Sequence, residues 1–165
     1  MSPKPRWIAR GVDLLAAGRP LVIGILNVTP DSFSDGGRAA TVAEAVSRAR
    51  WMAEQGADLI DIGGESSRPG HEAVSAETEW ARVVPVLAAL AGRPDLPPVS
   101  IDTTKAEVAR RALAAGAAIV NDIWGFQRDP DLARATAEAG AGCVLMHNRD
   151  RIVPEDDIVG AMLRF

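Results

Sequence analysis

The chain has 165 residues, of which 22 are acidic and 18 are basic, so its formal net charge is −4. That length suits a single domain spanning 1–165 with a substantial core. Lys and Arg are not clustered, which argues against nucleic acid as a partner because phosphate neutralisation needs a concentrated basic surface. The apolar runs are far shorter than the roughly 20 residues of a membrane span, and the N-terminus lacks a hydrophobic signal core. We therefore expect a cytoplasmic protein that binds neither nucleic acid nor membranes.

Predicted strands and helices alternate along the chain. Residues 1–20 predict a short cover, in the form of a hairpin, at the bottom of the core. The segment 21–27, LVIGILN, is apolar on both faces, as is typical of a strand buried in a parallel sheet. Further strands are predicted at 57–64, 99–102, 117–125 (with its loop) and 143–147.

Helical periodicity fills the segments between these strands. The predicted helix starts are Thr41, Ser75, Thr104 (paired with Glu107 in a capping box), Pro130 and Pro154. Pro85 predicts a kink or an early end of the second helix. In the last helix the residues predicted to point inward are Ile158, Val159, Met162 and Leu163. Cys143 lies in an apolar strand pattern, which favours a buried structural thiol.

A Gly-Ala step recurs at the junctions between helices and strands. It occurs at 56–57, 116–117 and 140–141, and each time it ends a helix and begins a strand. This recurrence indicates consecutive βα units. With right-handed crossovers, such units form either an open parallel sheet or part of a (β/α)₈ barrel.

Polar residues stand at the end of every predicted strand. They are Asn27, the stretch 65–68, Asp102, Asn121 with Asp122, and His147. Any one of them could be a loop or helix cap, but one face of a barrel would collect them all. The set contains no Ser-His-Asp arrangement, no paired cysteines and no Gly-rich phosphate motif.

The residue types at the strand ends suit a heterocycle that carries a phosphate. Asp102 could accept two N–H bonds from a guanidine-like ring edge, and Asn121 could add a donor or an acceptor. Arg68 could clamp a phosphate or a carboxylate. Asn27 offers a neutral oxygen to a hard cation such as Mg²⁺, which keeps most of its waters. From these residues alone the reaction remains undetermined.

Two long motifs carry a resemblance to a known family. GILNVTPDSFSDGG at 24–37 and DIGGESSRPG at 61–70 resemble the two signature stretches of dihydropteroate synthases. Three shorter motifs follow in the family's order: SIDTTK at 100–105, NDIWG at 121–125 and VLMH at 144–147. The resemblance covers essentially the whole chain.

The resemblance implies a (β/α)₈ TIM barrel of the dihydropteroate synthase type, with about five βα units present in this chain. Such enzymes serve folate biosynthesis and are sulfonamide targets. They condense 4-aminobenzoate with 6-hydroxymethyl-7,8-dihydropterin diphosphate to give 7,8-dihydropteroate and pyrophosphate. Mg²⁺ and basic groups stabilise the departing pyrophosphate, which is electrostatic rather than covalent catalysis. A homodimer is implied for the full-length protein.

The family's functional residues carry over onto matching positions. Asn27 matches the residue that binds metal and diphosphate, and Arg68 matches a catalytic, diphosphate-binding position. The pterin-binding matches are Asp102, Asn121, Ile123 and Met146. The second loop contributes Ser67, Arg68 and Pro69 near the aminobenzoate, and the first loop contributes Asp31 and Phe33 as a cover over the substrates. Position 67 is more often Thr in the family, but Ser retains the hydroxyl.

Other polar residues in the motifs have structural roles as their simpler interpretation. For Asp61, Glu65 and Asp122 we expect hydrogen bonds that fix loops rather than substrate contact. For His147 we expect a hydrogen-bonded structural role.

The sequence also departs from the family pattern. The family's barrel has about 250 residues or more, and this sequence contains no lysine after Lys105 and no Arg-x-His. The chain is therefore expected to be either a fragment of a longer enzyme or a natural partial barrel, and to be inactive alone. Two other functions remain open: a non-catalytic pterin-binding module, or a methyltetrahydrofolate-binding domain of a corrinoid methyltransferase. The first loop lacks the Gly-Glu-Arg pattern of the latter.

Overall fold

Five parallel strands form the central sheet. The computed structural model describes residues 6–15, 19–29, 42–66, 70, 72–149 and 157–165. The elements in chain order are β1 (Ile8–Ala9), β2 (Val12–Asp13), β3 (Ile23–Asn27), α1 (Val42–Glu54), β4 (Leu59–Gly63), α2 (Ala76–Leu90), β5 (Val99–Asp102), α3 (Ala106–Ala114), β6 (Ile119–Asp122), α4 (Asp131–Glu138), β7 (Gly142–Leu145) and α5 (Ile158–Arg164).

The central sheet has the order β3-β4-β5-β6-β7, so each strand pairs with the next one in the chain. Doubly wound sheets reverse their strand order at a switch point, whereas barrels do not. The predicted βα units are therefore confirmed, and their order is that of a partial (β/α) barrel.

Alternate residues of the strands face opposite layers. The outer face, which includes Ile60, Ile62 and Ile101, packs against α1, α2 and α3, and all three side chains are at most 1% exposed. The inner face carries the polar residues described below. The polar side chains of the inner face lie near the carboxyl ends of the strands and also one level lower, at Asp61 and Ser100.

The predicted helix starts are confirmed in part. Ser75 caps α2, since its Oγ accepts a hydrogen bond from the Thr78 N–H at 3.2 Å. Helix α2 continues through Pro85 to Leu90, so the expected early end is wrong. Pro130 is the residue immediately before α4, one position from its predicted place.

The predicted capping box at Thr104 is wrong. Helix α3 begins at Ala106, and its first N–H donates to Asp129 Oδ2 at 2.7 Å. Glu107 instead accepts a hydrogen bond from Arg111. The actual cap comes from a residue distant in sequence, so a local pattern could not identify it.

The predicted hairpin at the bottom of the core is confirmed. Strands β1 and β2 pair through a turn at Arg10 and Gly11, both with positive φ, as a two-residue hairpin turn requires. Ala9 packs with Leu59 and Ile119, and each of the three is at most 2% exposed. Arg10 Nη1 donates to the carbonyl oxygens of Leu113 (2.9 Å) and Ala117 (3.1 Å), which ties the hairpin to the α3–β6 turn.

Predictions for both edge strands of the described sheet and for the last helix are wrong. The strand predicted to be buried at 21–27 is β3, which leaves Ile23 and Ile25 exposed by 40% and 61% because it lies at one edge of that sheet. Cys143 is exposed, because β7 is an edge strand of the described sheet. In α5 only Ala161 is buried. The four side chains expected to point inward are exposed by at least 52%, because no described element covers that face: Ile158, Val159, Met162 and Leu163. Among the described helices, none is long and apolar enough to cross a membrane.

Candidate active site

The strand register gathers predicted site residues at one level of the inner face. Asn27 pairs with Gly63, Gly63 with Asp102, and Asp102 with Asn121. A Cβ built on Gly63 would lie 3.3 Å from Asn27 Oδ1 and 3.5 Å from Asp102 Oδ2. The two oxygens therefore converge on the same glycine, and a larger residue there would crowd both of them.

Asp61 lies one level lower on the inner face, in the middle of β4. Its Oδ1 accepts a hydrogen bond from Ser100 Oγ, and its Oδ2 accepts one from Asn121 Nδ2 at 2.9 Å. Burial raises the pKa of Asp61, while these two hydrogen bonds act in the opposite direction. The expectation of structural hydrogen bonds is met, but they join strands β4, β5 and β6 rather than fixing a loop.

Asp102 is the last residue of β5, and its pKa lies well above that of an ordinary aspartate. Burial, followed by repulsion from the carboxylates of Asp61, Glu79, Asp122 and Glu65, raises its pKa from 3.8 to about 7. A carboxylate with this pKa changes its charge near neutral pH. Such a group is ready to ionise fully when N–H donors of a ligand approach it.

Lys105 neutralises part of this negative charge. Its Nζ donates to Glu79 Oε2 at 2.6 Å and to Glu65 Oε2. Burial lowers the pKa of Lys105, but the hydrogen bonds to Glu65 and Glu79 more than offset this, and the pKa is raised. No role was predicted for Lys105, although it is the last residue of the SIDTTK motif. The signal that could have identified it is a basic residue three positions after the end of β5.

A cleft of about 360 Å³ opens beside these groups. It is lined by Glu65, Ser66, Ala73, Glu79, Asp102, Thr103, Thr104, Ile123, Trp124 and Arg128. The guanidinium of Arg128 stacks over the Trp124 ring at 3.8 Å, and the Ile123 carbonyl accepts a hydrogen bond from Asn148 Nδ2 at 3.0 Å. The cleft thus combines an acidic wall with an apolar and aromatic one.

The loop after β6 is fixed by Asp122, as predicted. Its carboxylate accepts hydrogen bonds from the N–H groups of Trp124 (2.8 Å) and Phe126 (2.6 Å). Met146, just beyond β7, is 44% exposed at the same edge. His147 contacts Phe165 edge-on at 4.8 Å, but its Nε2 has no hydrogen-bond partner in the described part of the chain, contrary to expectation.

The remaining predicted site residues lie outside the described residues. They are Asp31 and Phe33 of the first loop, and Ser67, Arg68 and Pro69 of the second. Asn27 is described and exposed at the end of β3. Within the described ranges, no group of three or more His, Cys, Asp or Glu side chains could hold a metal ion.

Parallel strands in sequential order, with polar groups collected at their carboxyl ends, define the class of (β/α)-barrel enzymes. Residues 23–165 match the model of the family described as pterin binding enzyme. The chain belongs to this family.

Individual relatives agree with this assignment. A dihydropteroate synthase of Clostridium beijerinckii is 54% identical over 132 residues, which is 80% of this chain and 49% of the relative. A crystallised dihydropteroate synthase of Xanthomonas albilineans with 4-aminobenzoic acid has a TM-score of 0.83 and 46% identity, covering 98% of this chain and 58% of that one. One of Yersinia pestis, in complex with a sulfonamide drug, has a TM-score of 0.83 and 44% identity over 97% and 59% of the two chains.

These relatives confirm the resemblance and the partial barrel inferred from the motifs. The chain spans about half the length of the curated relatives it matches. The half that this chain represents contains strands β3 to β7 and the two signature motifs.

Proposed function

We propose that the protein containing this chain is a dihydropteroate synthase. It would condense 4-aminobenzoate with 6-hydroxymethyl-7,8-dihydropterin diphosphate, form 7,8-dihydropteroate and release pyrophosphate. The observation that carries this proposal is the pairing of Asp102 with Asn121 at adjacent strand ends, within a chain of the pterin-binding family. The relatives named above support the synthase over a corrinoid methyltransferase domain.

The proposed pterin site is built from Asp102 and Asn121, with Ile123 and Met146 as apolar walls. A carboxylate beside an amide can receive the guanidine-like edge of a pterin through charge-assisted hydrogen bonds. Ile123 lines the cleft and Met146 is exposed at its edge of the sheet, so both are available to a planar ring. The 4-aminobenzoate is assigned to the second loop, with Ser67, Arg68 and Pro69.

We assign the diphosphate to the neighbourhood of Asn27 and Arg68, with Asp31 and Phe33 covering the substrates. Asn27 fits a Mg²⁺ ion, because it presents a neutral oxygen in an exposed position and the ion takes most of its ligands from water and phosphate. When bound, Mg²⁺ would supply positive charge to the leaving pyrophosphate. Arg68 would add a positive charge that does not titrate near neutral pH. Asn27 and Arg68 are therefore the catalytic candidates.

Isothermal titration calorimetry tests this proposal on two proteins: the 165-residue chain and the longest form that its gene encodes. The ligands are 6-hydroxymethylpterin, pyrophosphate with and without Mg²⁺, and 4-aminobenzoate. A product assay with the pterin diphosphate accompanies the titrations. We expect pterin binding, Mg²⁺-dependent pyrophosphate binding, and synthesis only by a form longer than the 165-residue chain.

Three results would change the proposal. Synthesis by the mass-verified 165-residue chain would refute its predicted inactivity. Ligand binding without synthesis by any form would favour a non-catalytic pterin-binding module. No pterin binding by any form would overturn the proposed function.

The proposal extends to the setting of the enzyme. We propose a single domain on the basis of chain length, a homodimer of the full-length protein on the basis of the resemblance, and a cytoplasmic location on the basis of the N-terminal sequence. Limited proteolysis, light scattering and cell fractionation respectively test these three statements.

A further inference from the structure

We propose that Lys105 is a positioning residue that holds Glu65 and Ser66 at the wall of the cleft, and that this contact sets the affinity of the site for 4-aminobenzoate. The inference rests on the proposed function, because that function assigns 4-aminobenzoate to the residues that directly follow Ser66. Lys105 itself is expected to touch neither substrate, since it is not among the described residues that line the cleft.

One ammonium group joins three parts of the chain. Lys105 Nζ donates to Glu79 Oε2 at 2.6 Å and also to Glu65 Oε2. Glu79 belongs to the first turn of α2, Glu65 is the second residue after β4, and Lys105 immediately precedes α3. The lysine therefore ties the chain after β4 to two helices that pack on the sheet.

Burial makes the two carboxylates dependent on this lysine. Glu79 is fully buried, and its Oε1 has no hydrogen-bond partner in the described part of the chain. The side chains of Glu65 and Lys105 are 18% and 24% exposed. A buried carboxylate is unfavourable unless a positive charge pairs with it. Without Lys105 the two carboxylates would repel each other, and Glu65, the more exposed of the two, would move away.

Gly64 is held by contacts that do not involve Lys105. Arg82 Nη1 donates to the Gly64 carbonyl oxygen at 2.8 Å. A Cβ built on Gly64 would lie 2.8 Å from Val83 Cγ1 and 2.9 Å from the Glu79 carbonyl oxygen, so the backbone there lies directly on α2. Loss of Lys105 should therefore release the chain from Glu65 onward and leave Gly64 in place.

The released residues form a wall of the proposed site. Glu65 and Ser66 line the cleft together with Asp102 and Ile123. Asp102 ends β5 and its backbone is paired within the sheet, so its place does not depend on Lys105. The loss of Lys105 should therefore weaken the binding of 4-aminobenzoate more than that of the pterin.

The test variant has to preserve the charge around Asp102, because the carboxylates of Glu65 and Glu79 already act on that residue. Lys105→Met combined with Glu79→Gln removes one positive and one negative charge. The net charge of the three side chains is therefore unchanged, and no unpaired charge remains at the buried position 79. Only Glu65 loses its partner in this cluster.

Steady-state kinetics are measured on the longest form that the gene encodes. In the double variant we expect KM for 4-aminobenzoate to rise about tenfold or more, because small displacements of a binding group cost large factors. KM for the pterin diphosphate should stay within about twofold of the wild type. A purely structural role would lower the amount of active enzyme and leave both KM values unchanged. That result, or an equal rise in both values, would overturn the inference.

Glu79→Gln alone is the matched control. It retains Lys105 with its hydrogen bond to Glu65, and the glutamine oxygen can still accept from the ammonium group. KM for 4-aminobenzoate should therefore stay within about twofold of the wild type. A rise as large as in the double variant would assign the effect to the charge of Glu79, and the role of Lys105 would be wrong.

A measurement without ligand separates this inference from the proposed function. Nuclear magnetic resonance relaxation gives backbone order parameters for Gly63, Glu65 and Ser66. We expect values of about 0.85 at all three in the wild type, as in rigid backbone, and a fall to about 0.6 or below at Glu65 and Ser66 alone in the double variant. Low values in the wild type, or no change in the variant, would overturn the inference. The expected fall without synthesis by any form would support the role of Lys105 and overturn only the proposed function.

Discussion

The two ends of the parallel sheet differ in the side chains that they carry. At the amino end, the β1–β2 hairpin covers Leu59 and Ile119, and both side chains are at most 2% exposed. At the carboxyl end, Asp102 lines an acidic cleft and is paired with Asn121 of the neighbouring strand. Apolar packing therefore lies at the amino end of the strands and titratable polar groups lie at the carboxyl end, where (β/α) barrels generally carry their active sites.

The carboxyl end carries a stability penalty that the amino end lacks. Asp102 is buried among several carboxylates, which raises its pKa to about 7. Ionising Asp102 at a higher pH therefore costs free energy in the folded chain. Lys105 relieves part of the repulsion through Glu65 and Glu79. Among the described residues of the amino end, apolar contacts and carbonyl groups bonded by Arg10 replace this cluster of carboxylates.

The largest loss of stability is expected at the amino end, from Ile119→Ala. The side chain is fully buried, so its loss leaves a cavity and should lower the free energy of unfolding by about 3 kcal/mol. Pterin affinity should change less than twofold. Chemical denaturation and calorimetry measure the two quantities.

Ile119→Val is the graded control, with an expected loss of about 1 kcal/mol. If Ile119→Ala weakened pterin binding as strongly as it weakened folding, the separation of the two ends would be wrong.

Asp102→Asn, at the carboxyl end, should weaken pterin binding and raise the stability of the unliganded protein. Loss of the carboxylate should weaken pterin binding roughly 100-fold, because hydrogen bonds to charged groups contribute about 1.5–3 kcal/mol each. The same change should stabilise the unliganded protein above pH 7, since asparagine has no buried ionisation.

The pH dependence follows from the raised pKa of Asp102. The folded protein retains a proton up to about pH 7 that the unfolded chain loses near 3.8. This proton contributes its full stability below pH 3.8, and that stability is lost as the pH rises from 3.8 to about 7. The advantage of Asp102→Asn should therefore grow across this window and reach about 2–4 kcal/mol above pH 7. Denaturation curves at pH 4, 6 and 8 measure it, and equal differences at all three would contradict the assigned pKa.

The smallest effect is expected from Arg10→Ala. Its guanidinium bonds two carbonyl oxygens of the α3–β6 turn, and their loss should lower the free energy of unfolding by about 1 kcal/mol. Pterin affinity should not change. Arg6→Ala is the control, because Arg6 is 66% exposed and pairs with Asp13 at the surface. A larger loss in Arg6→Ala than in Arg10→Ala would mean that surface pairing, not the bonds to the turn, holds the hairpin.

Local patterns predicted the elements whose causes are local. The hairpin, the five strands and the Ser75 cap follow from nearby residues, and the structure confirms them. The capping box at Thr104 failed because the acceptor for α3 is Asp129, which reaches that helix only in the folded chain. The burial of Cys143 failed because a strand pattern does not reveal which strand lies at an edge.

Periodicity and motifs were enough to predict the βα order, the family and the positions of the polar strand ends. The interactions among those ends depend on the three-dimensional arrangement of the strands. Asp61 and Asn121 are 60 residues apart, and neither residue type predicts that the amide nitrogen meets the carboxylate. The acidity of Asp102 likewise depends on burial and on carboxylates from other elements, so it arises only when the strands are placed side by side.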